Sequence, residues 1–231
     1  MSLPPFFASL SYLDIAAVLL LVIAWLVTGR LTEHPPAGRP SVSVLMADYR
    51  RDWMRQFVTR QPRIFDATVI DSLRQGTAFL ASACMIAIGG GVALLGNSDR
   101  LEGVARDITP GIISDALEIR MILPLLLLAN ALLKFIWSNR LFGYCAILMA
   151  SVPNDPNDPL AYHRAGQAAE VNITAAAAFN SGLRSIFFAL GALAWLFGAV
   201  PLMLATVVAA GVLFRREFAS RSREIILKRD L

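Results

Sequence analysis

Residues 121–150 read MILPLLLLANALLKFIWSNRLFGYCAILMA. No charge interrupts Met121 to Leu133; Lys134, Trp137, Ser138, Asn139 and Arg140 then follow within about two turns. A hydrocarbon core about 30 Å thick needs about 20 apolar residues at 1.5 Å rise. The stretch therefore predicts a helix that crosses a bilayer over 121–140, with 141–150 projecting past the interface or running along it. Pro124 falls in the first turns, where a proline costs little. Lys134 lies about 9 Å along the axis from Arg140, close enough to the membrane face to snorkel. The alternative is that Lys134 faces the bundle and pairs there. Trp137 suits an aromatic belt.

Composition agrees with lipid as the solvent. The chain of 231 residues is 56% hydrophobic and 16% charged, against about a quarter charged in soluble domains, and its mean hydropathy is +0.59. We expect an all-α, polytopic transmembrane bundle forming one domain over 1–231. The net charge of +4 is read through the excess of basic residues on the cytoplasmic side of membrane proteins, not as a nucleic-acid surface. Cys84 and Cys145 lie in apolar runs without metal-ligand spacing and read as buried small hydrophobes. His34 and His163 fall in turn-like segments.

Working outward, residues 10–28 form the first crossing, with Asp14 near its start and Trp25 near its end. No basic region precedes it, so it is expected to stay in the mature protein. Residues 29–75 carry eight arginines against five acids, which places this loop in the cytoplasm and the N-terminus outside. Within it, 41–61 reads as an amphipathic helix ended by Pro62. Leu45, Tyr49, Trp53 and Phe57 recur every four residues, and Arg50 and Arg51 sit between them. Such a helix lies in the headgroup plane or docks on the bundle end, and both can hold together. The second crossing is 76–96, in a helix expected to begin earlier, near Asp66, and there Ala83, Ala87 and Gly91 make a small-residue stripe that lets helices approach. The net-acidic segment 97–118 suits the outer side. Residues 151–159, SVPNDPNDP, read as turns, and 160–180 then read as helical and rich in small residues.

The last apolar run, 185–214, decides between four and five crossings. A single crossing would leave the basic tail outside. A turn at Phe197-Gly198-Ala199-Val200-Pro201, with Gly past one helix end and Pro in the first turn of the next, makes crossings of 174–197 and 201–218 and returns the tail 219–231 to the cytoplasm. Five crossings are favoured. Asn180 and Arg184 then enter the inner third of a membrane helix, and Arg184 needs a partner there.

These residues carry a family pattern. Tyr49-Arg50-Arg51-Asp52-Trp53-Met54, Arg63-Ile64-x-Asp66, Lys134-Phe135-x-Trp137-Ser138-x-Arg140, Phe179-Asn180-x-Gly182-Leu183-Arg184 and Arg216-Glu217-Phe218-x-Ser220 resemble the uncharacterised integral-membrane family catalogued as domain of unknown function 599. The likeness covers nearly the whole chain after the first helix. It implies an integral-membrane protein of a bacterial and plant group without an assigned activity, expected here in a bacterial inner membrane, and lends no catalytic residues.

No acyl-transfer, phosphoryl-transfer or metal-hydrolase constellation is present, so we expect no enzyme, cofactor or metal. The candidate polar site comprises Lys134, Arg140, Asn180 and Arg184, with Asp66 and Glu170, and also Asp71, as counter-charges; Tyr49, Arg50, Arg51, Trp53 and Trp137 mark the membrane interface. The first functional expectation is a small transporter or channel subunit with this cationic site near the cytoplasmic face, assembled as a homo-oligomer because five helices are thin for a pathway. The alternative is a non-transporting scaffold that binds anionic lipid headgroups or a partner membrane protein.

Overall fold

The computed structural model describes residues 10–97 and 114–228. The described residues are 85% helix and include no strand. In chain order the helices are α1 (Tyr12–Glu33), α2 (Val42–Thr59), α3 (Ile64–Leu95), α4 (Ser114–Ala150), α5 (Ala161–Ala192), a 3-10 turn (Leu193–Phe197), α6 (Ala199–Phe218) and α7 (Arg221–Leu227). The helices α1, α3, α4, α5 and α6 are each long and apolar enough to cross a membrane. Protein buries only 17–33% of their apolar windows. Leu13, Leu19, Ile23 and Leu26 of α1 are all more than half exposed or nearly so, as expected where lipid covers the outer face. The expected acidic segment 97–118 lies mostly outside the described residues.

The turn between α5 and α6 rests on Gly198. Its φ of +116° and ψ of 178° belong to backbone that essentially only glycine adopts. Gly198 N–H donates to Trp195 O at 2.9 Å, and Leu202 N–H donates to Gly198 O at 3.3 Å. The chain thus reverses within one residue, which makes the last run two spans.

Three helices are longer than the expected crossings. α3 starts at Ile64, α4 continues to Ala150, and α5 begins at Ala161, thirteen residues before the apolar window at 174. Apolar length marks where lipid ends, but a helix persists wherever one face still finds a core. On α5 that face is Ala161, Ala165, Ala168, Ala169, Asn172 and Ala175, all buried. Close packing by small residues therefore occurs here. On α3, by contrast, Ala83 and Ala87 are exposed and only Gly91 of the expected stripe is buried; its Cβ would stand 2.5 Å from Leu125 Cδ2.

Two compact units emerge. The first draws on Met1–Gly29, Ala83–Ala131 and Leu183–Phe214. Its core joins Ala17 and Leu21 of α1, Leu127 of α4, Phe188 and Ala192 of α5, and Leu202 of α6. The second draws on Arg30–Ser82, Leu132–Gly182 and Arg215–Leu231. Its core joins Met54, Phe57 and Val58 of α2, Ile70 of α3, Cys145 and Met149 of α4, and the alanines of α5. So α2 docks on protein through its apolar face. Ser41 caps it, accepting from Val44 N–H at 3.2 Å and donating to Thr32 O at 2.7 Å, which ties the start of α2 to the end of α1.

Candidate functional site

The second unit's polar contacts radiate from α2. Trp53 is half-buried and donates its indole Nε1–H to Asp66 Oδ1 at 2.6 Å. Arg60, the C-cap of α2, reaches the same oxygen at 2.5 Å. Asp66 is completely buried in the first turn of α3, where a carboxylate also meets the positive helix end. Its second oxygen is buried without a hydrogen-bond partner among the described residues. The tight turn Arg60–Arg63 brings α2 and α3 together here.

One turn back along α2, Arg50 donates to Asn172 Oδ1 on α5. Asn172 is fully buried, and its amide Nδ2 faces Cys145 Sγ at 3.5 Å. Burial lowers the proton affinity of the Arg50 guanidinium, which is the desolvation effect expected of a charge taken out of water. Arg51 makes the opposite case. It is well exposed, binds Glu170 through Nε at 2.7 Å and Asp48 through Nη1 at 2.9 Å, and the hydrogen bond to Glu170 raises its pKa.

The start of α2 closes a further cluster. Ser43 N–H and Ser43 Oγ both meet Glu217 Oε2 of α6 at 3.1 Å, and Asn180 Nδ2 donates to Ser43 Oγ at 3.2 Å. A carboxylate at a helix N-terminus is favoured by the orphan N–H groups and the macrodipole. Tyr49 OH donates to Ile226 O at 3.3 Å, and Arg223 Nε donates to Pro40 O at 2.9 Å, so α7 clasps α2.

These contacts redistribute the expected site. Asp66 and Glu170, expected to face Lys134 or Arg184, are held by Arg60 and Arg51 instead; α2 lies across the helix ends and its arginines reach the carboxylates over short spans. Asn180 bonds Ser43. Lys134 is exposed and has no ion pair among the described residues, in keeping with a snorkelling lysine. Trp137 is 49% exposed. Arg140 is exposed and donates Nε to Tyr144 OH one turn on, while neighbouring Ser138 donates to Ala175 O at 2.7 Å. Arg184 belongs to the first unit. It is buried, and its Nε lies 3.5 Å from where a Cβ on Gly29 would stand, so only a very small residue leaves the guanidinium this room.

The first unit holds a buried charge cluster that sequence reasoning missed. Asp14 accepts from Trp195 Nε1–H at 2.7 Å and from Ser11 Oγ–H at 2.7 Å, and Arg120 Nη2 lies 3.6 Å from it. Arg120 Nε is buried without a hydrogen-bond partner among the described residues. Read singly, Asp14 and Arg120 are each residues near a span's end; only their juxtaposition makes a site. Asn172 was legible in principle, as the one polar residue in the register Ala165, Ala168, Ala175.

A family model described as Protein of unknown function, DUF599, matches residues 16–222, in agreement with the resemblance read from the motifs. No curated protein and no solved structure is similar to the chain.

Proposed function

The chain belongs to the DUF599 family, whose description carries no activity, and we propose that this multi-pass membrane protein is a non-transporting scaffold that binds anionic lipid or a partner membrane protein on the side bearing α2. The observation that carries this reading is the spending of polar groups. Ser41, Ser43, Tyr49, Arg50, Arg51 and Trp53 of α2 and its cap each bond the end or flank of another helix. A conduit keeps polar groups for water and solute; here they hold one helix rigidly in place. The basic loop and tail orient that side to the cytoplasm of a bacterial inner membrane, where anionic lipid attracts cations at about 1 kcal/mol per residue.

A second reading, the small transporter or channel subunit, draws on Asp14 and Arg120. Ionisable residues buried within spans are costly and mark pathways by default.

Proteoliposomes separate the two. The scaffold reading expects no anion or cation flux above protein-free vesicles, and retention of anionic phospholipid through detergent purification. Protein-dependent flux that Asp14→Asn or Arg120→Gln abolishes would establish the transporter instead.

A further inference from the structure

Beside the α2 platform, the flank shared by α3 and α4 holds a pocket of about 370 Å³. Its polar lining is Arg63, Asp71, Arg74 and Asn154, and its walls include Phe57 and Met149. Four facts give it a chemistry. Arg63 is held rigidly: Nη1 donates to Val152 O at 2.9 Å, Nη2 donates to Pro153 O at 2.9 Å and Val58 O at 3.1 Å, and the guanidinium lies 4.5 Å from the centre of the Phe57 ring. Carbonyls carry no formal charge, and among the described residues no carboxylate forms an ion pair with Arg63.

Arg74 is exposed, and among the described residues its side chain meets no carboxylate. Its backbone is nevertheless anchored, since Asn139 Nδ2 donates to Arg74 O at 2.9 Å. Asp71 accepts from Gln75 Nε2 at 2.6 Å. The formal charge of the lining is therefore two arginines less one aspartate, +1. The pocket also sits at a level the sequence marks: the uncharged run of α3 begins at Gly76, just past Arg74, and Arg140 of α4 stands next to Asn139.

We propose that this pocket binds a phosphate group, with Arg74 and Asn154 as its contacts, Arg63 as a preorganised charge behind them, and the apolar walls taking the body that carries the phosphate. Arginine forks match phosphate oxygens. The level of Arg74, at the end of an apolar run, favours a phospholipid headgroup as the source; a free phosphate or soluble phosphomonoester shares the chemistry. The inference rests on the scaffold reading and gives its lipid a location.

The test is native mass spectrometry of the full-length protein released from nanodiscs of mixed phosphatidylglycerol and phosphatidylcholine. Wild type retains phosphatidylglycerol preferentially. Arg74→Gln lowers that preference about threefold, the scale of one exposed charge contact, and Asp71→Asn raises it. Arg74 makes no side-chain contact that folding needs, and an unchanged elution profile verifies this. In phosphatidylcholine nanodiscs, a melting shift on adding inorganic phosphate that Arg74→Gln removes supports the free-phosphate source. Preference and melting shift both unaltered in Arg74→Gln overturn the pocket. The scaffold reading fails separately, through protein-dependent flux, which would leave an Arg74-dependent preference standing.

Discussion

Trp53 and Asp66 share a hydrogen bond of 2.6 Å that closes the corner between α2 and α3, and Arg60 completes it on the same carboxylate oxygen. Removing Asp66 leaves an indole N–H and a guanidinium without their acceptor. Breaking a buried pair costs about 3–5 kcal/mol, and Arg60, 34% exposed in its side chain, can recover some hydration. We expect Asp66→Ala to cost about 2–4 kcal/mol and Arg60→Gln a similar amount, because the latter leaves a fully buried carboxylate with the Trp53 indole N–H as its remaining partner among the described residues. The double variant should cost less than the sum of the two. Equilibrium unfolding in mixed micelles measures this; additive costs would show that the two side chains do not interact.

The glycines of α3 and α5 differ in what stands over them. A Cβ on Gly182 would lie 2.7 Å from Cε1 of Phe135, a fully buried ring packed against Phe179 at 5.6 Å. A ring cannot give way as a chain end does, so Gly182→Ala should cost about 1–3 kcal/mol of overpacking. Gly91→Ala meets only a methyl of Leu125, which a rotamer change can move, and should cost less. Gly29→Ala makes ordinary contact with Arg184 at 3.5 Å and should be tolerated. Melting temperatures that rank Gly91→Ala below Gly182→Ala would contradict the packing described here.

Arg51 and Glu170 join α2 to α5 in solvent. The hydrogen bond to Glu170 raises the Arg51 pKa. A raised pKa on a base contributes stability that is complete below its unfolded value and is lost only as pH rises through the folded one. For an arginine that window lies above the range of ordinary buffers, so Arg51 adds no pH dependence between about pH 6 and 10. Exposed pairs are worth about 0–1 kcal/mol, so Glu170→Gln should lower the melting temperature slightly, and by less in about 0.5 M salt than in 0.05 M. A large, salt-independent loss would place Glu170 in some buried role.

An odd number of spans sets the termini on opposite sides. A reporter fused after Leu231 should read as cytoplasmic, on the side of α2, and one fused before the first span as external. Both reporters on one side would require an even number of crossings and would undo the turn at Gly198 as a membrane hairpin.

Particular residues show what could be read ahead of the fold. The span count followed from Gly198 and Pro201 combined with the basic tail, because charge asymmetry and backbone freedom are both local properties. The start of α5 at Ala161 follows the helical, small-residue reading of 160–180, but the core that its alanines find in α2 and α4 was less legible, because a hydropathy window does not register a core made of small residues. The small-residue stripe was sought on α3, yet the close packing lies on α5.

The sequence by itself determined an all-helical membrane protein of five spans, its family, and the residues its motifs single out, since lipid selects for apolar length and the motifs are linear. Only the tertiary structure decided who holds whom. Asp66 has Arg60 and Trp53, Glu170 has Arg51, and Asn180 has Ser43, while Asp14, Trp195 and Arg120 meet from three distant parts of the chain. A charge's partner depends on the few ångströms that packing sets between helices, and spacing along the chain carries no record of that distance.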